Sequence, residues 1–278
     1  MTIVRRTRHP KLGQHFLSDA GYRRRIVEAL DLRSGDLVLE IGAGCGAMTN
    51  LLAERVRKVV ALELDPKLVS ALKERLQIEP RIEVLEGDIL STDLAGLCRD
   101  NATDKCFVFG NLPYYITSPI IHHLLGNAAH IQAMALLVQR EVAERLTAAP
   151  GSRAYGYLSV LTQLHSEPRM VLGIPPGAFS PHPKVHSALV VFRMMSRFPK
   201  GLTAGEDSPL REVKSREKFL EFIKRCFTQK RKNLVNNLAG AYSRKRAEKA
   251  LLRSALPTTA RAEQLTLEQF AQLFMALT

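Results

Sequence analysis

The sequence predicts an α/β protein: a mostly parallel sheet covered by helices on both faces, an antiparallel pair at one edge, and a small all-α domain behind it. Three observations predict this. From Leu37 to about Gln139, short apolar and β-branched runs alternate with helix-like stretches. The segment Ser196–Pro209 is rich in Gly, Pro and Ser and has no periodicity, so it reads as a linker. Beyond it only helical spacing is found, with Phe219, Phe222, Ile223, Cys226 and Phe227 on one face. A chain of 278 residues exceeds the usual single core, which favours one large domain and one small one. The expected boundaries are 1–195 for the α/β domain, 196–214 for the linker and 215–278 for the helical domain.

The strands are expected at Leu37–Ile41, Val59–Leu62, Ile82–Leu85, Cys106–Phe109 and Ala133–Val138. A helix starts near Ala47, after the glycine-rich loop that ends the first strand. Between the second and third strands Asp65 caps a helix with Pro66 at its first position, and Leu68, Val69, Leu72 and Leu76 form its apolar stripe. After the fourth strand, Thr117 or Ser118 caps a helix whose first residue is Pro119. Met170–Ile174 and Ala188–Phe192 supply the antiparallel pair. The last helix opens on Thr266 and Gln269, a capping-box pair.

Charge is segregated along the chain. Residues 1–25 carry 7 basic and 1 acidic side chains (net +6), residues 26–180 carry 14 and 18 (net −4), and residues 181–278 carry 19 and 8 (net +11). A mildly acidic middle between basic ends suggests a catalytic core with flanks that bind a polyanion. The clusters Lys230-Arg231-Lys232 and Arg244-Lys245-Arg246 fall on or beside helices of the basic end; either alone is more simply a solvated face. Cys45, Cys98, Cys106 and Cys226 show no C-x-x-C pairing and read as reduced thiols. There is no apolar signal core near the N-terminus and no apolar run near the ~20 residues of a membrane helix, so a cytoplasmic protein is expected. His182-x-x-x-His186 has a metal-like spacing, but Pro181 and Pro183 break any helix that would align the pair, and no metal is expected.

The ends of successive strands carry the chemistry. Gly42-Ala43-Gly44-Cys45-Gly46 follows the first strand, Glu63 ends the second and Asp88 follows the third. Glycines admit a ligand close to the backbone, a carboxylate at Glu63 can accept both hydroxyls of an adenosyl ribose, and Asp88 can accept from an adenine amino group. Each alone reads equally as a tight turn or a solvated acid. The glycine spacing also fits a nicotinamide fingerprint. Asn111-Leu112-Pro113-Tyr114, at the end of the fourth strand, discriminates: an amide, a proline-held backbone and an aromatic face suit a flat amino-bearing base, and hydride transfer has no evident use for them.

With these residues the chain resembles the ribosomal RNA adenine dimethyltransferases, over nearly its whole length. The match runs through Gly13-Gln14-His15-Phe16-Leu17, Glu40-Ile41-Gly42-Ala43-Gly44, Glu63-Leu64-Asp65, Gly87-Asp88 and Gly110-Asn111-Leu112-Pro113-Tyr114. It continues through Gln139-Arg140-Glu141-Val142-Ala143-Glu144-Arg145-Leu146, Pro175-Pro176-Gly177-Ala178-Phe179, Pro181-x-Pro183-Lys184-Val185, Arg231-Lys232-x-Leu234-x-Asn236-Asn237-Leu238 and Arg261-Ala262-Glu263-Gln264-Leu265. Ala43 stands where proline is frequent in the family, and Cys45 where a larger apolar residue is common.

The resemblance implies a Rossmann-like methyltransferase sheet and S-adenosylmethionine as cofactor. Gln14, His15 and Leu17 would close over its methionine part, Gly42 and Gly44 would face it, Glu63 would hold the ribose and Asp88 the adenine, and Asn111 would contact the cofactor as well as the target base. Asn111 and Leu112 would accept from the target N6 amine. Tyr114 and Phe179 would stack on the two faces of the flipped adenine, although on the residues alone Phe179 reads as a core aromatic. Lys230, Arg231 and Lys232 would bind RNA. The implied substrate is 16S rRNA in the immature small subunit, at two adjacent adenosines near its 3′ end, with the enzyme acting as a monomer. The large-subunit, macrolide-resistance branch and a non-catalytic assembly factor on the same fold are the alternatives; the stretch from Arg231 to Leu238 favours the small-subunit branch.

Overall fold

A computed structural model describes residues 15–76, 79–195, 209–213, 215–229 and 231–278. Within them the elements run β1 (Phe16–Leu17), α1 (Ala20–Glu28), β2 (Leu37–Ile41), α2 (Thr49–Ala53), β3 (Lys58–Glu63), α3 (Pro66–Leu76), β4 (Ile82–Glu86), α4 (Leu94–Asp100), β5 (Cys106–Asn111), α5 (Thr117–Gly126), β6 (Ile131–Gln139), α6 (Arg140–Leu146), α7 (Tyr157–His165), β7 (Ser166–Ile174), β8 (Phe179–Ser180), β9 (Ser187–Met194), α8 (Arg216–Cys226), α9 (Leu234–Leu238), α10 (Arg244–Arg253) and α11 (Leu267–Leu277). All seven expected strands are present; Leu37–Ile41 has the expected bounds and the other six are one to four residues longer than expected. Among the described residues no helix is long and apolar enough to cross a membrane.

The main sheet has the order β4-β3-β2-β5-β6-β9-β7. β2 pairs in parallel with both β3 and β5, and β3 with β4. All five residues of β2 are buried, as a strand covered on both faces requires. At the β7 edge, the N–H of Met195, just past β9, donates to the carbonyl of His165, just before β7, at 2.6 Å. The end of one strand thus meets the start of the other, the antiparallel sense expected there. Register decides where the loops go: Ile41 lies beside Leu62 and Gly110, and Glu63 beside Glu86. The carboxyl ends of four parallel strands therefore come level along one edge, at spacings of about 4.8 Å, so Asp88 and Asn111 lie some 15 Å apart across it.

Helix starts follow the expected chemistry, with two shifts. Asp65 accepts the Lys67 N–H at 2.9 Å to cap α3, and α11 opens on the reciprocal Thr266 and Gln269 bonds of a capping box. After the glycine loop, α2 begins at Thr49 because Gly46 is still in a turn with φ of +74°. α5 starts at Thr117, where the Thr117 hydroxyl donates to the Pro113 carbonyl at 2.9 Å, so Pro119 falls inside the first turn.

The contacts divide the chain into two compact units. The first comprises residues up to Leu124 with 135–140 and 171–189. It contains a small ribbon that sequence periodicity could not reveal: β1 pairs antiparallel with β8, Phe16 opposite Ser180 and Leu17 opposite Phe179. The second comprises residues 125–134, 141–170 and 190–278. Its apolar core joins Phe219, Phe222 and Ile223 of α8 to Phe270 and Phe274 of α11, and it also takes in Ala148, Tyr155, Val160 and Leu164, well before the linker. In that unit Arg216 donates to Nε2 of His165, whose Nδ1–H is held by the Leu161 carbonyl at 2.8 Å. Burial, with the Arg216 charge adding to it, pushes His165 down to about 4, so it stays a neutral acceptor.

Candidate functional site

The level strand ends enclose a cleft of about 900 Å³, open in part to solvent. It is lined by Gly42 and Gly44 after β2, Glu63 at the end of β3 and Leu64 after it, Asp88 and Ile89 after β4, and Asn111 at the end of β5 with Leu112, Tyr114 and Tyr115 after it, with His15 and Phe16 from the N-terminal side. A smaller adjoining cavity shares Phe16, Gly42 and Asn111 with it and adds Leu17 and Glu40.

The glycine loop requires its glycines. Gly42 and Gly44 have φ of +70° and +57°, and a Cβ on Gly44 would meet the Phe16 ring at 2.8 Å. Glu63 is 3% exposed. One of its oxygens accepts the Gly44 N–H at 2.8 Å, and the other accepts the N–H groups of Leu64 and Asp65 at 2.9 and 3.0 Å. A carboxylate offers about four acceptor positions, so three donors leave room for a further hydroxyl while fixing the group in place. Asp88 accepts the Leu90 N–H on Oδ1 at 2.9 Å and lines the cleft.

Asn111 is oriented from outside its own loop. Its Nδ2 donates to the His15 carbonyl at 2.9 Å, which leaves Oδ1 as the acceptor of this side chain. The His15 ring is itself tied by Nδ1–H to the Pro181 carbonyl at 2.7 Å. Leu112 is buried and donates its N–H to the Leu137 carbonyl at 3.0 Å, which anchors the loop after β5. The Tyr114 ring lies 5.6 Å from the His15 ring, tilted 30° to it, and its hydroxyl bonds to Ser187 Oγ at 2.7 Å. Burial raises the Tyr114 pKa, with the Ser187 bond opposing, so the phenol is neutral.

The expected site residues do not all stand together. His15, Gly42, Gly44, Glu63, Asp88, Asn111, Leu112 and Tyr114 share the main cleft, whereas Leu17 lines only the adjoining cavity. Phe179 is completely buried in β8 and is absent from the lining of either cavity. Its ring occupies a core position here, and stacking on a base would require it to turn outward. Arg231 and Lys232 are exposed on the loop between α8 and α9. That loop is pinned by Asn237, whose amide donates to the carbonyls of Cys226 at 2.7 Å and Gln229 at 3.2 Å and accepts the Gln229 N–H at 3.2 Å. In the second basic cluster, Arg244 pairs with Glu248 at 3.0 Å and Arg246 donates to the Leu277 carbonyl, so two of its three charges serve the fold. Gln14 and Lys230 lie outside the described residues.

Glu40 falls within one of the matching motifs, and sequence reasoning assigns it no role. It is 2% exposed, lines the adjoining cavity, and its Oε2 makes no hydrogen bond. Burial pushes its carboxyl up to about 8 and the neighbouring Glu63 charge adds to this. The nearby Thr49 hydroxyl opposes the shift, although no hydrogen bond of normal geometry reaches that hydroxyl. An acid inside the apolar strand Leu37–Ile41 is the signal available in the sequence.

The comparisons with known proteins agree with this geometry. A family model described as ribosomal RNA adenine dimethylase matches residues 5–278. A relative named ribosomal RNA small subunit methyltransferase A, from Acidobacterium capsulatum, is 44% identical over 269 residues, covering 96% of this chain and 90% of its own. Among solved structures, the 23S rRNA methyltransferase ErmE is 31% identical with a TM-score of 0.69, covering 94% of this chain and 99% of its own. A dimethyladenosine transferase from Plasmodium falciparum, 24% identical, has a TM-score of 0.76 over 94% of this chain and 96% of its own, a likeness of fold.

Proposed function

The chain belongs to the ribosomal RNA adenine dimethylase family, and we propose that it dimethylates N6 of two adjacent adenosines near the 3′ end of small-subunit rRNA. It is a methyltransferase with S-adenosylmethionine as methyl donor. The observation that carries the reading is one cleft in which Gly42, Gly44, Glu63 and Asp88 lie beside Asn111, Leu112 and Tyr114. The small-subunit branch is favoured over the large-subunit one by the 44% identity to a small-subunit relative against 31% to a 23S enzyme.

The residues fit this cofactor: the glycine loop has no room for a side chain at Gly44, and Asp88 lines the cleft with one oxygen bonded to the Leu90 N–H. Glu63 would hold the ribose, Asp88 the adenine, and Gln14, His15, Leu17, Gly42 and Gly44 the methionine part. Bound there, the cofactor supplies an electrophilic methyl group. The amine to be methylated is a weak nucleophile because its lone pair is delocalised into the adenine ring. The protein's task is therefore to orient it, and no strong base is needed. Asn111 Oδ1 and the Leu112 carbonyl accept hydrogen bonds from the N6–H groups, two at the first transfer and one at the second, favouring a pyramidal nitrogen with its lone pair out of the ring plane; each methylated nitrogen then loses one proton to water. Pro113 has no N–H to compete there. Tyr114 provides a neutral aromatic wall for the extruded base, with Phe179 as the opposite wall once its ring turns outward.

Residues 1–195 carry the chemistry, and residues 215–278, reached through 196–214, bind rRNA through Lys230, Arg231 and Lys232. The enzyme acts in the cytoplasm as a monomer and without a metal ion. The test is transfer of labelled methyl groups from S-adenosylmethionine to undermethylated small subunits and, separately, to large-subunit RNA. Label confined to two adjacent small-subunit adenosines supports the reading, and label only in large-subunit RNA overturns it.

A further inference from the structure

We propose that the Tyr115 ring holds the second of the two adjacent adenosines at the rim of the cleft while the first is methylated, an inference that rests on the substrate reading above. Six large apolar side chains are exposed among the described residues: Leu64, Tyr115, Met170, Val171, Val185 and Leu252. Tyr115 is the one aromatic among them, 60% exposed, and it shares the lining of this cleft with Leu64. Its neighbour Tyr114 is committed inside, with its hydroxyl on Ser187 and its ring against His15. Successive side chains on one loop are therefore divided between a fixed ring facing the target base and an exposed ring beside it.

Tyr114 and Tyr115 are consecutive, so their Cα atoms are about 3.8 Å apart. A base extruded against Tyr114 brings its chain neighbour to the rim where the Tyr115 ring is exposed. Tyr115 also lies close enough to Asp88 for that carboxylate, after burial, to raise its pKa. The phenol is therefore neutral, and its ring can stack on any base without repelling phosphates.

Full-length Tyr115→Ala and Tyr115→Phe should be reacted with undermethylated small subunits, methyl groups counted on each adenosine by mass spectrometry, and S-adenosylmethionine affinity measured by calorimetry. The alanine variant is expected to bind the cofactor within about twofold of the parent. It should also accumulate, at least about fivefold over the parent, RNA in which one adenosine is dimethylated and its neighbour is not. The phenylalanine variant keeps the ring and should match the parent. An unchanged product pattern in the alanine variant overturns the inference. So does a fivefold or greater loss of cofactor affinity, which would assign the ring to the cofactor. A parent enzyme that left small subunits unmethylated would remove the substrate reading and this inference together, a result visible without any variant.

Discussion

The Asn111 side-chain amide donates a 2.9 Å hydrogen bond to the main-chain carbonyl of His15, 96 residues earlier in the chain. The acceptor oxygen proposed to meet the substrate amine is thus aimed by a residue on the N-terminal side of the cleft. Asn111→Ala should lose methyl transfer by roughly 10²–10³-fold or more, in the range found for one preorganised polar group, while small-subunit binding persists. Asn111→Asp keeps the acceptor but cannot donate to His15, so it should also be severely impaired. Single-turnover kinetics with a parallel subunit-binding assay checks both; an aspartate variant near parental activity would remove the His15 bond from the mechanism.

Glu63 anchors three backbone N–H groups and lines the cleft proposed to hold the cofactor. Glu63→Ala should weaken S-adenosylmethionine binding by about 1.5–3 kcal/mol, the range for hydrogen bonds to a charged acceptor. It should also lower thermal stability. Glu63→Gln retains the shape and one acceptor oxygen and should lie between the two. Calorimetric titration and a melting curve separate these effects.

Tyr114→Phe preserves the ring and loses the Ser187 bond, and it should retain most activity. Tyr114→Ala removes a wall at a cost of about 1–3 kcal/mol in RNA affinity or turnover. Phe179→Ala differs in kind. Because that ring is fully buried, its truncation should destabilise the protein by about 3–5 kcal/mol before any effect on the base can be read. Denaturant unfolding run beside nucleoside mass spectrometry decides between the two losses.

Replacing Arg231 and Lys232 by Gln should flatten the slope of log affinity against log salt by up to about 2, one for each phosphate no longer neutralised. Cofactor affinity should stay constant. A salt titration of small-subunit binding reads the slope directly.

Glu40 makes stability depend on pH. Its folded pKa, about 8, lies above the ordinary carboxyl value of 4.5. The folded state thus binds the proton more tightly than the unfolded chain. The associated stability is complete below about pH 4.5 and is lost as pH rises through 8. Glu40→Gln mimics the neutral acid. It should leave stability nearly unchanged at pH 4 and raise it by roughly 1–3 kcal/mol or more at pH 9, where the parent would otherwise hold an unpaired buried charge. Melting curves across that range are the measurement, and parallel curves for the two proteins would rule the effect out.

Much of the cleft is legible in the sequence because its residues sit at strand ends, and strand ends follow from local apolar runs. Leu37–Ile41 is delimited to the residue, and Gly42, Glu63, Asp88 and Asn111 follow once the sheet is parallel. What sequence patterns miss depends on partners distant in the chain. β1 and β8 have two residues each, too few for any period. The Tyr114–Ser187 and Asn111–His15 bonds span 73 and 96 residues and leave no local trace. The share of Tyr155 and Leu164 in the helical core arises from packing between segments on either side of the linker, which a linear division at residue 196 cannot register. Burial decides Glu40, and burial is a property of the whole fold; for Phe179 the residues alone already read as a core aromatic, and the ring is fully buried.

The β1–β8 ribbon also orders events during synthesis. Leu17 meets its partner Phe179 only after some 160 further residues have been made, a delay of roughly 8–30 s at 5–20 residues per second. Until then Phe16 and Leu17 have no strand to join. The adjoining cavity that they both line stays unfinished while the nascent chain is still attached to the ribosome translating it, so its closure falls late in translation.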